Sequence, residues 1–127
     1  MKSYTDIEQS KILSKILTLE SADMGWNVFV DDTTRILPIN DWDLIKDGSG
    51  NVKFYYAWSL AALLNILHSK TKNIPSLSGG GYKDGKYISD WCLDYEFDDG
   101  DYQKTFADNP VDTCYNMIIK LSELGVL

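Results

Sequence analysis

The stretch Trp91-Cys92-Leu93-Asp94-Tyr95-Glu96-Phe97-Asp98-Asp99-Gly100-Asp101-Tyr102 decides the fold. Trp91, Leu93, Tyr95 and Phe97 occupy alternate positions, opposite Asp90, Cys92, Asp94 and Glu96. A period of two with apolar residues on one side predicts a strand with one face buried and the other wet. Asp99-Gly100 tolerates both positive-φ positions of a two-residue type I′ turn, so a hairpin follows. That loop sets Phe97 opposite Tyr102, Leu93 opposite Phe106, and Lys104 beside Tyr95. Slipping by one residue would turn the whole apolar set to water, so this register is a definite expectation.

Upstream, Lys83-Asp84-Gly85-Lys86 repeats the Asp-Gly signal and predicts a second hairpin turn, with an extra strand before Asp84 left open. Residues 69–81, ending in Ser78-Gly79-Gly80-Gly81, read as a flexible connector. Downstream, Asn109-Pro110 supplies an N-cap and first helical residue, with Asp112 in the first turn. Val111, Cys114, Ile118 and Leu121 then mark a core stripe, and Gly125 a C-cap.

In the first half, Thr5-Asp6-Ile7-Glu8 has the form of a capping box before an amphipathic helix over about 6–18 carrying Ile12, Leu13, Ile16 and Leu17. Trp26, Val28 and Val30 alternate as a short strand, Asp31–Thr34 make a turn, and Arg35–Ile39 return as a strand stopped by Pro38. Residues 40–53 read as loop, with Asp47-Gly48-Ser49-Gly50-Asn51 its clearest breaker, and Phe54-Tyr55-Tyr56 as extended and buried. Ser59 is an N-cap, with Trp58 and Leu63 as a hydrophobic staple and Leu60, Leu63, Leu64 and Leu67 along one helix face. The expected fold is a single α+β domain over 1–127. Its antiparallel sheet carries helices packed mainly on one face, in the order α-β-β-α-β-β-α.

Length and composition agree with that class. The 127 residues, 44% hydrophobic and 24% charged, suit one domain that folds by its own core. No apolar run approaches the roughly 20 residues that span a bilayer. The amino terminus lacks an apolar run and a small-residue cleavage site, so no signal peptide is expected. Cys92 and Cys114 do not make a disulfide framework. Both are expected as small, reduced hydrophobes in a cytoplasm, with a single disulfide left open should their elements touch.

Charge is concentrated. Between Asp84 and Asp112 stand nine acids and two bases, an excess equal to the whole net charge of −7. Such a surface repels phosphate backbones, so direct nucleic-acid binding is not expected. It solubilises the chain and offers a docking surface for a protein partner with a basic face. The candidate binding residues are Asp90, Asp94, Glu96, Asp98, Asp99 and Asp101.

Three segments carry a resemblance: Ser21-Ala22-Asp23-Met24, Ala57-Trp58-Ser59-Leu60-Ala61-Ala62-Leu63-Leu64, and Asp108-Asn109-Pro110-Val111-Asp112 with the helix to Leu124. In this order they resemble a group of small uncharacterised proteins from gut Bacteroidetes genomes, prophages and mobile elements. The resemblance covers most of the chain and implies a cytoplasmic bacterial or phage setting. It carries over no activity, cofactor or functional residue.

Other constellations read as structure. Gly80 and Gly85-Lys86 imitate a phosphate-binding loop, but Tyr87 stands where a hydroxyl would hold magnesium and the context is not strand-to-helix. Asp94 to Gly100 hints at a calcium loop, but Asp99 replaces its glycine and Thr105 its bidentate glutamate. His68 is the one histidine, which rules out two-histidine zinc sites. Nucleophile schemes need an imidazole with an orienting partner, whereas the place of His68 near a helix end is accounted for by the dipole or exposure. No metal or cofactor is expected.

Asp94 and Glu96 point to one side of a strand, roughly 6–7 Å apart by strand rise. Glycosidases place their carboxylates on opposite sides of a bound sugar instead. The leading expectation is therefore a non-enzymatic protein-interaction module. A small hydrolase or sugar-binding protein using that pair is one alternative, and an acidic DNA mimic another. Among the aromatics, Trp26, Trp42 and Tyr55 have the least certain burial.

Overall fold

A computed structural model describes residues 2–29, 31–39 and 51–127. Val30, Trp42 and the predicted breaker at 47–50 lie outside the described residues. The fold is α+β, with helices and antiparallel strands as expected. The strands divide between two three-stranded sheets, and the residues cluster into two compact units.

The first unit, Tyr4–Ala62, contains α1 (Ile7–Ile16), β1 (Met24–Phe29), β2 (Thr34–Pro38), β3 (Asn51–Ala57) and the start of α2 (Leu60–Ser69). Its sheet order is β2-β1-β3. β3 begins within the stretch expected as loop, and Phe54, Tyr55 and Tyr56 are half-buried there. Gly25 is required by close approach, because a Cβ at that position would overlap the Phe54 ring. The capping box of α1 sits one residue later than expected. Asp6 Oδ1 accepts from the Gln9 N–H at 2.8 Å, and Gln9 Oε1 accepts from the Asp6 N–H at 3.1 Å.

Thr5 is freed from capping by that shift and is fully buried. Its hydroxyl accepts from the Trp58 N–H at 3.1 Å and lies 2.9 Å from Ser10 Oγ. The Thr5 N–H donates to the Trp58 carbonyl at 2.9 Å. The Trp58 indole N–H donates to Ser21 Oγ at 2.9 Å, and the Ser59 N–H to Asp23 Oδ1 at 2.8 Å. Two of the three resemblance segments therefore form one hydrogen-bonded knot. Ser59 Oγ caps α2 by accepting from the Ala62 N–H at 3.2 Å.

The second unit takes in Leu63–Leu127 with Lys2 and Ser3. It contains β4 (Ser76–Lys83), β5 (Lys86–Glu96), β6 (Tyr102–Ala107) and α3 (Pro110–Glu123), in sheet order β4-β5-β6. β4 replaces the expected flexible connector. Gly80 gives room for an aromatic ring from β5, since a Cβ there would meet the Tyr87 hydroxyl, whereas a Cβ at Gly79 would stand in ordinary contact with Trp91.

α3 packs on β5 and β6. Leu93 and Tyr95 are fully buried beneath it with Val111, Cys114, Met117, Ile118 and Leu121. Its ends are as expected: Asn109 Oδ1 accepts from the Asp112 N–H at 2.9 Å, and Gly125 has φ +79. The Val126 N–H donates to the Leu121 carbonyl and the Gly125 N–H to that of Ser122, which completes a Schellman motif.

The β5–β6 register departs from expectation by one residue. Leu93 faces Thr105, Asp94 faces Lys104, and Glu96 faces Tyr102. The loop has three residues, closed by the Phe97 N–H to the Asp101 carbonyl at 2.7 Å and the Gly100 N–H to the Phe97 carbonyl at 3.1 Å. Only Gly100 takes positive φ, so the turn is a type I turn with a glycine bulge instead of type I′. Lys104 is thus on the wet face, 3.3 Å from Asp94, and the polar intrusion beside Tyr95 disappears.

Candidate functional site

The alternation of β5 puts Asp90, Asp94 and Glu96 on the face away from α3. Asp90 and Glu96 are exposed, and Asp94 is half-buried beside Lys104. Asp98, Asp99 and Asp101 follow in the turn, where two of them hold structure. Asp98 Oδ1 accepts from the Lys72 N–H at 2.8 Å and the Thr71 hydroxyl at 3.1 Å. Asp99 Oδ1 accepts from the Asp101 N–H at 2.9 Å.

The backbone N–H of Lys72 holds the Asp98 carboxyl below its ordinary range, helped by Thr71 and the Lys72 charge. A folded-state pKa below the ordinary 3.8 stabilises the fold above that value, and the contribution is lost as pH falls through the lowered one. Asp98→Asn is therefore expected to be less stable than wild type at neutral pH. The gap in urea midpoints should close as pH drops below about 4. A gap constant with pH would remove the charge from this role.

Two open hollows flank the turn. The first, about 290 Å³, is lined by Ile74, Ser76, Asp94, Tyr95, Glu96, Gly100 and Tyr102. The second, about 500 Å³, is lined by Phe97, Asp99, Asp101, Tyr102, Gln103 and Leu124. Tyr102 belongs to both and is 68% exposed. Of the six candidate acids, the structure brings Asp94 and Glu96 to one hollow and Asp99 and Asp101 to the other. Asp90 and Asp98 line neither.

Tyr102 and Ile74, which is 79% exposed, went unseen in the sequence. The slipped register had placed Tyr102 against Phe97 in the core. Two further exposed aromatics, Tyr82 and Tyr87, stand edge to face at 5.6 Å on the β4–β5 hairpin. Trp26 is half-buried, with its indole N–H donating to the Thr5 carbonyl at 2.8 Å, and Tyr55 is half-buried beneath the Lys11 ammonium.

Cys92 and Cys114 are free and buried. Burial pushes both thiols up, Cys114 to about 12, so neither is a thiolate at neutral pH. His68 is exposed on the last turn of α2. Tyr95 is fully buried, and its hydroxyl has no hydrogen-bond partner among the described residues. Among the described residues no group of three or more His, Cys, Asp or Glu could hold a metal ion. No described helix is long and apolar enough to cross a membrane. No family model, curated protein or solved structure matches this chain.

Proposed function

We propose that this chain is a non-enzymatic protein-interaction module that engages a basic partner surface through the β5–β6 end of its second unit. The observation that carries the proposal is the exposed Tyr102, which lines two hollows that each bear two carboxylates. An exposed tyrosine beside a concavity suits a recognition surface, since aromatic residues are enriched at interfaces. Asp94 and Glu96 sit on one side of a single strand, with no third carboxylate among the residues lining their hollow, which favours binding over acid–base chemistry. Two free thiols favour a reducing compartment, and the cytoplasmic bacterial or phage setting implied by the sequence resemblance is part of the proposal.

The test is retention of host protein on the immobilised chain at about 0.05 M and about 1 M salt, where screening lengths differ several-fold. Wild type is expected to retain a partner at low salt and release it at high salt. The Glu96→Gln, Asp101→Asn double variant, folded by circular dichroism, is expected to retain little. Equal retention by wild type and variant would overturn the proposal.

A further inference from the structure

Resting on that proposal, we infer that the partner binds as an extended segment paired along the outer edge of β4, with a basic side chain crossing Ser76 into the first hollow. β4 is an outer strand in the order β4-β5-β6. An antiparallel edge strand turns the N–H and C=O of alternate residues away from its sheet, a ready template for a further strand. Outside the sheet, the backbone of Ser76–Gly79 makes no hydrogen bond among the described residues. Ser76, Ser78 and Gly79 are exposed, and at Gly79, which has no side chain, the exposure is that of the backbone itself. Two other edges are interrupted. On β6 the Phe106 carbonyl accepts from the Asn116 amide at 3.3 Å, and β2 carries Arg35 and Pro38. Between Pro75 and the bulge at Gly79–Gly81, β4 carries neither charge nor proline.

What selects the partner is the row behind that edge. Ser76 stands opposite Asp94 and Glu96 opposite Tyr102, so the first hollow runs from β4 across β5 to β6. On the β4 side its rim is a serine, too short to wall the carboxylates off from a neighbouring strand. A strand added beyond β4 would lie two strand spacings, about 9.5 Å, from β5. A lysine or arginine stem covers most of that distance over Ser76 and brings its charge to Asp94 and Glu96. Glu96 has no side-chain partner among the described residues, whereas Asp94 shares Lys104 at 3.3 Å. Main-chain pairing then supplies affinity and the carboxylates supply the choice of a basic residue, as in other strand additions.

The probes are a short blocked peptide alternating lysine and valine, the same peptide N-methylated at every residue, and an alternating glutamate–valine peptide. N-methylation keeps the charge and removes every backbone donor, which separates strand pairing from attraction alone. Binding is read from amide chemical shifts and hydrogen exchange in about 0.05 M salt, where exposed ion pairs are least screened. The lysine peptide is expected to shift the amides of Ser76–Gly79 and to slow exchange of those that point outward. The N-methylated peptide is expected to bind about tenfold or more weaker, and the glutamate peptide not at all. Ser76→Arg, at an exposed position, lays a cation of its own toward Asp94 and is expected to weaken the lysine peptide about fivefold or more.

Equal affinity for the lysine peptide and its N-methylated form, unmoved β4 amides, or indifference to Ser76→Arg would each overturn the inference. Equal binding of the glutamate peptide would overturn the role given to Asp94 and Glu96. The same β4 shifts appearing with protein concentration alone would make a second copy of this chain the occupant instead. If the lysine peptide fails while wild type still retains a host partner through Glu96 and Asp101, the inference falls alone. If neither binds, both fall.

Discussion

Trp58→Ala is expected to destabilise the chain by about 3–5 kcal/mol, the range for deleting a large buried aromatic. Trp58 is fully buried, and it and its neighbour Ser59 link several segments of the first unit. Its indole N–H satisfies Ser21 Oγ before β1. Its backbone pairs both ways with Thr5 ahead of α1, and the next residue binds Asp23 and starts α2. Truncation leaves a cavity where the indole stood and strips Ser21 of its donor. Trp58→Phe, which keeps most of the ring but loses the N–H, is expected to cost less, about 1–2 kcal/mol. Domains of this size have only about 5–15 kcal/mol of stability, so the alanine variant should lose a large part of its urea midpoint by far-UV circular dichroism. A loss below about 1 kcal/mol would show that the knot around Thr5 and Asp23 holds without the indole.

Two identical dipeptides show how much was legible. Asp84-Gly85 and Asp99-Gly100 carry the same local signal, and the first behaves as that signal predicts: both residues have positive φ, and Lys83 pairs with Lys86. The second does not, because neighbours distant in sequence hold its flank. Thr71 donates to the Glu96 carbonyl at 2.7 Å, the Asn73 amide reaches the Phe97 carbonyl at 3.3 Å, and Asp98 takes the Lys72 N–H. Those bonds accompany a longer loop in which Asp99 keeps negative φ. Turn chemistry read from four residues could not contain them.

The same distinction runs through the rest of the molecule. Helix ends and the period-two core of β5 are local properties, and Asn109, Ser59, Gly125, Leu93 and Tyr95 behave as their neighbours dictate. β4 is not local. Its glycines look like a linker until Trp91 and Tyr87, on another strand, are laid across them. The candidate site divides in the same way. Its carboxylates were readable from charge density, but the exposure of Tyr102 depends on the register.

Leu93→Ala, at the centre of the second unit, is expected to cost about 2–5 kcal/mol. Leu93 is fully buried, flanked across the sheet by Leu77 and Thr105, and sits beneath α3. Its neighbour Asp94 shares only a partly exposed ion pair with Lys104, so Asp94→Ala is expected to cost less than about 1 kcal/mol. That contrast between adjacent positions tests which face of β5 is the core, and near-equal costs would contradict it. The register needs a finer measurement. A double-mutant cycle between Leu93 and Thr105 is expected to show coupling above about 0.5 kcal/mol, as for directly opposed side chains on one face. A cycle between Leu93 and Phe106 is expected to show much less, because Phe106 faces Cys92 on the other side of the sheet. Reversal of the two couplings would restore the two-residue turn, return Tyr102 to the core face, and remove the shared wall on which both hollows depend.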